Sequence, residues 1–180
     1  MNADRFQELL DRQDILDCLT RFSRGIDRLD RELFLSAFHP DATIAAGPFV
    51  GGPEALADWS FAMHAEYQHL TQHCLLNHTA EIDGDTAHTE THYLFVARNT
   101  DDSLMLAGGR YVDRLERGEG AWKIALRTNA IEWNSAPAAN SCNPKSKPPS
   151  PRATPPLPSA PRRPPNSPMP KSRLWPHAAT

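Results

Sequence analysis

Thr86-Ala87-His88-Thr89-Glu90-Thr91-His92-Tyr93-Leu94-Phe95-Val96-Ala97-Arg98 is the stretch on which the fold turns. Ala87, Thr89, Thr91, Tyr93 and Phe95 alternate with His88, Glu90, His92, Leu94 and Val96. A period of two, rich in β-branched and aromatic residues, is a strand with one face on a core. The same character continues on both sides. Residues 72–82 form a strand before it, and Asp83-Gly84 is the turn between them. Asn99–Ser103 is a second turn, 104–116 a third strand, Gly118-Glu119-Gly120 a third turn and 121–133 a last strand. Four strands joined by short turns predict an antiparallel meander.

Upstream of the meander the period changes to that of a helix. Ile15, Leu19, Phe22, Ile26 and Leu29 recur at steps of four and three, one apolar stripe that Leu9 and Leu10 extend. Asp30 can cap a short second helix carrying Leu33, Phe34, Ala37 and Phe38, which His39-Pro40 stops. Asp41–Ala46 is a short strand followed by Gly47-Pro48. Gly52-Pro53-Glu54 opens a third helix, with proline at its first position, through Leu56, Trp59, Phe61 and Met63 towards Tyr67. Helices first and strands after give an α+β class. The expected architecture is a cone-shaped, curved antiparallel sheet wrapped around the N-terminal helices, with a pocket where the helices leave it unfilled.

Residues 1–134 read as this one folded domain, and 135–180 as a disordered, proline-rich, basic tail. The tail holds most of the 17 prolines and no acidic residue, so it can neither build ladders nor bury a core. Its Pro158–Pro161 spacing suits a polyproline II ligand, although a solvated tail needs no partner. The formal charge of −3 hides the division: all 22 Asp and Glu lie at or before Glu132, against 12 of the 19 Lys and Arg, so the body carries −10 and the tail +7. An acidic body argues against a nucleic-acid partner. Cys18, Cys74 and Cys142 make no CxxC pair, which suggests reduced thiols in a cytoplasm. The charged N-terminus argues against secretion, and no apolar run is long enough for a membrane span.

Two residues stand out chemically. Asp27 lies near the end of the helical stripe, within Arg24-Gly25-Ile26-Asp27-Arg28-Leu29-Asp30, and His73 opens the strand run within Leu70-Thr71-Gln72-His73-Cys74-Leu75-Leu76. A carboxylate that accepts from imidazole Nδ1–H fixes the tautomer and leaves Nε2 free as a general base. The plainer alternative is that Asp27 pairs with Arg24, Arg28 or Arg31 and His73 is an ordinary strand residue.

The order and spacing of Gly25–Asp30, Phe38-His39-Pro40-Asp41-Ala42, Gly51–Leu56, Thr71-Gln72-His73 and Gly109–Arg117 followed by Trp122-Lys123-Ile124 resemble the SnoaL-like branch of the nuclear-transport-factor-two-like superfamily over residues 5–134. That resemblance implies a cavity and a lyase or isomerase that needs no cofactor, as in scytalone dehydratase, bile-acid dehydratase and hexachlorocyclohexane dehydrochlorinase. It places Asp27 and His73 as the catalytic pair. The dehydratases carry a tyrosine about five residues before the aspartate; Phe22 stands here and offers no hydroxyl. Phe22, His92, Tyr111 and Arg127 are the candidate substrate-binding residues: the resemblance implies a second pocket histidine near His92, unless a bulge inverts the strand, and a cavity-facing arginine near Arg127. Tyr111 shares a face with the small Ala107 and Gly109, and Arg127 has Glu132 or Asp113 as a plain structural partner.

The resemblance also implies a compact apolar or cyclic carbonyl or hydroxy substrate and a homo-dimer or trimer. The fold serves ligand binding, assembly of dioxygenases through their beta subunits, and polyketide cyclase or hydrolase chemistry as well, so it does not choose among them. His64, His69 and His73 with Glu66 do not form HExxH, and no metal site is expected. GxGxxG and GxxxxGK[ST] are absent from the sequence, so no nucleotide site is expected either.

Overall fold

The computed structural model describes residues 3–135. The proline-rich stretch read as a disordered tail lies outside them, apart from its first residue. Helix α1 (Ala3–Asp27) buries Ile15, Leu19, Phe22 and Ile26 of the expected stripe, with Cys18 beside them, while Leu9 and Leu10, read as its extension, are exposed. Leu29 is not part of it. It adopts φ +54° and lies exposed, because the helix has already ended.

That end has a definite form. The Asp30 amide donates to Gly25 O at 2.9 Å and the Leu29 amide to Ile26 O at 3.3 Å. This is a Schellman stop, with Leu29 in the left-handed position that glycine fills more cheaply. Asp27 is therefore the last residue of the helix. The chain turns straight into α2 (Arg31–Leu35), capped as expected by Asp30, whose carboxylate accepts from the Leu33 amide at 3.0 Å. Gly25 permits the tight reversal: a Cβ there would lie 2.5 Å from the Phe34 amide nitrogen.

The short helix ends sooner than the sequence suggested. Phe38 already belongs to β1 (Phe38–Ala46), which runs through Pro40. Pairing is irregular between Phe38 and Thr43, as a residue without an amide proton requires. Strand β2 (Phe49–Gly51) returns as a hairpin, and α3 (Pro53–Tyr67) follows with Pro53 in its first turn. Then come β3 (Gln68–Asp83), β4 (Thr86–Asn99), β5 (Leu104–Gly118) and β6 (Ala121–Asn134). The four strands and their turns fall close to where alternation put them, with β3 starting four residues early.

The sheet corrects the expected architecture. Its order is β2-β1-β6-β5-β4-β3, and β1 runs parallel to β6. It is thus mixed rather than wholly antiparallel. It is also open: β2 and β3 end it without meeting, so no closed or strongly curled cone forms around the helices. The cause is connectivity. The chain leaves the β1–β2 hairpin at one edge and crosses through α3 to start β3 at the other, so β1 meets the last strand of the meander without a hairpin to reverse it.

The core lies between α1, α2 and the inward face of the sheet, around Leu19, Phe22, Phe34, Ile44, Leu115 and Trp122. A polar tie crosses it. Asp11 of α1 accepts from Arg117 Nη1 and Nη2 at 2.8 and 2.9 Å and from Trp122 Nε1 at 3.2 Å. Among the described residues no helix is long and apolar enough to cross a membrane.

Candidate active site

The abrupt stop of α1 delivers Asp27 to β3. Its Oδ1 accepts from His73 Nδ1 at 2.6 Å and its Oδ2 from the His73 backbone amide at 2.8 Å. Because the carboxylate takes Nδ1–H, Nε2 keeps the lone pair. Burial pushes the Asp27 carboxyl up, but hydrogen bonds from the His73 ring and amide, attraction to that ring and a bond from Thr71 outweigh it and hold the carboxyl below its ordinary range. A carboxylate at a helix C-terminus opposes the helix dipole, so this position costs rather than adds stability locally. The His73 ring packs against Phe95, with centroids 4.7 Å apart, and more distantly against Phe22 at 6.3 Å.

His73 lines a cavity of about 590 Å³ between α3 and the sheet, continued by a smaller lobe of about 170 Å³, whereas Asp27 borders neither. Trp59, Ser60, His64, His73, Tyr111 and Asn129 border both. Met63, Phe95, Met105 and Ala107 make the larger part mainly apolar.

The other residues singled out by sequence fall in three places. Tyr111 is buried, stacked on Tyr93 with centroids 4.4 Å apart, and forms wall to both lobes. Burial drives its phenol far above the ordinary range, so it is a neutral O–H. Phe22 and Arg127 border the smaller lobe. The Arg127 guanidinium sits over the Phe22 and Tyr111 rings at 4.1 and 4.3 Å, and its Nε and Nη2 each donate to Asp113 at 2.7 Å. Its Nη1 is buried without a hydrogen-bond partner among the described residues. His92 lies elsewhere. Its side chain is 47% exposed beside Glu90 on the far face of the sheet, because β4 turns Thr91, Tyr93 and Phe95 inward without a bulge. It takes no part in the cavity.

Sequence reading missed Ser60, His64, Gln68 and Asn129. His64 had been weighed only as a metal ligand, and among the described residues no three His, Cys, Asp or Glu gather as a metal site. The overlooked signal was Ser60, His64 and Gln68 at steps of four, one edge of α3 carried into the start of β3.

The fold has many solved counterparts. The chain is similar to a protein of unknown function from Mycobacterium tuberculosis, with 22% identity, TM-score 0.65 and coverage of 73% of this chain and 77% of that one. It is similar to hexachlorocyclohexane dehydrochlorinase type 3 from Novosphingobium barchaimii, with 20% identity, TM-score 0.66 and coverage of 76% and 95%. The type 2 dehydrochlorinase gives 21% identity, TM-score 0.69 and coverage of 76% and 94%. At such identities the likeness is one of fold. No curated protein matches the chain. The SnoaL-like domain model matches residues 7–128, which spans the helices, the Asp27–His73 pair and most of the sheet, and the chain belongs to that family.

Proposed function

We propose that the protein is a cofactor-independent lyase or isomerase that removes a proton from carbon. The observation that carries this is the double hold of Asp27 on His73, at the ring and at the backbone, beside an accessible and mainly apolar cavity. His73 Nε2 takes the proton and Asp27 stabilises the imidazolium that results. The electron pair left on carbon moves into an adjacent carbonyl, giving an enolate, or expels a β-leaving group. Tyr111, as a neutral O–H, and Arg127 Nη1, as a donor without a partner among the described residues, are the groups that would stabilise the oxyanion charge. Phe22 offers no proton to a departing hydroxide, which favours a leaving group needing little help or an isomerisation. A positioned base of this kind supplies about 10²–10⁴ in rate.

The substrate is compact, cyclic and largely apolar, with a C–H acidified by a neighbouring carbonyl. Incubation of 2-indanone with the protein in deuterium oxide, followed by proton NMR, tests the reading. Exchange at the α-carbon faster than in buffer, lost in His73→Ala, is expected. Exchange no faster than buffer, or unchanged in His73→Ala, rejects it and leaves a binding or assembly domain.

A homo-oligomer is part of the same reading. Leu104, Leu106, Val112 and Leu126 stand exposed on the side of the sheet away from the cavity, more apolar surface than the helices cover.

A further inference from the structure

The wall of the cavity opposite the sheet carries a polar pair outside the dyad. Ser60 and His64 lie one turn apart on α3, and both border the larger cavity and its smaller lobe. Ser60 is 4% exposed, yet its Oγ has no hydrogen-bond partner among the described residues. A serine inside a helix ordinarily bonds back to a carbonyl of the preceding turn. A buried hydroxyl left without a partner is costly enough to call for an explanation.

His64 is held in one tautomer. Gln68 Oε1 lies within hydrogen-bond reach of its Nδ1; with that oxygen as acceptor, the ring proton is on Nδ1 and Nε2 carries a lone pair. Burial, helped by the nearby His73, holds the imidazole below its ordinary range against the pull of Gln68 and Asp27, so the ring is neutral. Its ring stands edge-on to His73, with centroids 5.8 Å apart. A ligand reaching His73 therefore passes within reach of His64.

The geometry points to a hydroxyl-recognition subsite formed by Ser60 and His64, which selects substrates bearing an alcohol or phenol O–H close to the carbon that His73 deprotonates. A hydroxyl satisfies both groups: its proton goes to His64 Nε2 and its oxygen accepts from Ser60 Oγ–H. A carbonyl or an ether offers no proton to His64, and a bare hydrocarbon leaves both groups unpaired. Since His64 accepts, the hydroxyl held there is retained and is not the leaving group. This inference rests on the proton-abstraction reading for its role in a reaction, but the binding it predicts does not.

Two probes of nearly equal shape make the test, 4-tert-butylphenol and its methyl ether, each titrated calorimetrically into the full chain at pH 7.5. The ether keeps the acceptor oxygen and loses only the donor. A buried acceptor without its donor weakens binding by about tenfold or more, so the phenol should bind that much more tightly. His64→Phe should bring the two affinities to within about threefold, mainly by weakening the phenol. Gln68→Met, which frees the tautomer, should reduce the preference without abolishing binding, and it decides the matter if the phenylalanine variant does not fold. Equal affinities in the unaltered protein, no binding of either probe, or a preference that survives in His64→Phe and Gln68→Met overturns the subsite. Failed deuterium exchange with the phenol preference intact rejects the dyad reading alone.

Discussion

Asp27 and His73, 46 positions apart in the chain, are joined at two points by one carboxylate, which accepts from the imidazole at 2.6 Å and from the same residue's amide at 2.8 Å. The bond to the amide fixes where the strand lies against the helix end, and the bond to the ring fixes how the imidazole is turned. Position and tautomer of the base thus depend on the same two oxygens.

Asp27→Asn keeps the shape of the side chain but leaves one acceptor where two are needed. It should lower 2-indanone exchange by roughly two to four orders of magnitude, through the wrong tautomer. It should also cost about 1–3 kcal/mol of stability, since a partly buried donor loses its partner. NMR exchange and urea denaturation read these separately. A variant that exchanges as fast as the parent would show that the carboxylate does not orient the base.

The same carboxylate sets an acid limit. Its folded-state pKa is depressed below the ordinary 3.8, so its stabilisation is fully present above the unfolded value and is lost as pH falls through the folded one. The difference in urea midpoint between the parent and Asp27→Asn should be constant near neutrality and shrink only in acid below 3.8. A difference that shrinks as pH rises would contradict the sign.

Leu29 is held at φ +54°, a conformation that glycine adopts without a Cβ penalty. Leu29 is also exposed, so replacing it sacrifices little packing. Leu29→Gly should stabilise by about 0.5–1 kcal/mol. Gly25→Ala should do the opposite, by about 1–3 kcal/mol, because its methyl would press on the Phe34 backbone 2.5 Å away. Thermal melts of both variants check the pair.

The two cysteines in the described region should differ sharply in reactivity. Cys18 is fully buried, its Sγ–H donates to Ala37 O at 3.2 Å, and burial pushes the thiol up to about 11. Cys74 is half-buried. At pH 8 an aromatic disulfide reagent should modify Cys74 in the native protein and reach Cys18 only after unfolding. Peptide mass mapping assigns the labelled sites and separates them from Cys142.

The four long strands were legible because alternation is written residue by residue. The Asp27–His73 pair was legible through the family resemblance, since the residues alone allowed Asp27 a plainer pairing with a neighbouring arginine. Three things were not. The direction of β1 against β6 depends on α3 carrying the chain between sheet edges, and no local pattern encodes that. His92 was assigned to the cavity by resemblance, whereas Tyr93 and Phe95 fix the opposite parity for β4. Ser60 lay hidden in a helix read mainly for its apolar residues, and His64 was weighed only for a metal, because a polar side chain passes for surface until burial is known.

The Schellman stop has an evolutionary corollary. Each residue added to or removed from α1 ahead of Asp27 would swing its carboxylate about 100° around the axis and move it about 1.5 Å along it, away from its imidazole. Substitutions along the exposed flank of that rod are tolerable, but changes in its length are not. Among descendants that keep the chemistry, insertions and deletions should collect in the turns between strands and spare the span from the buried Ile15 to Asp27.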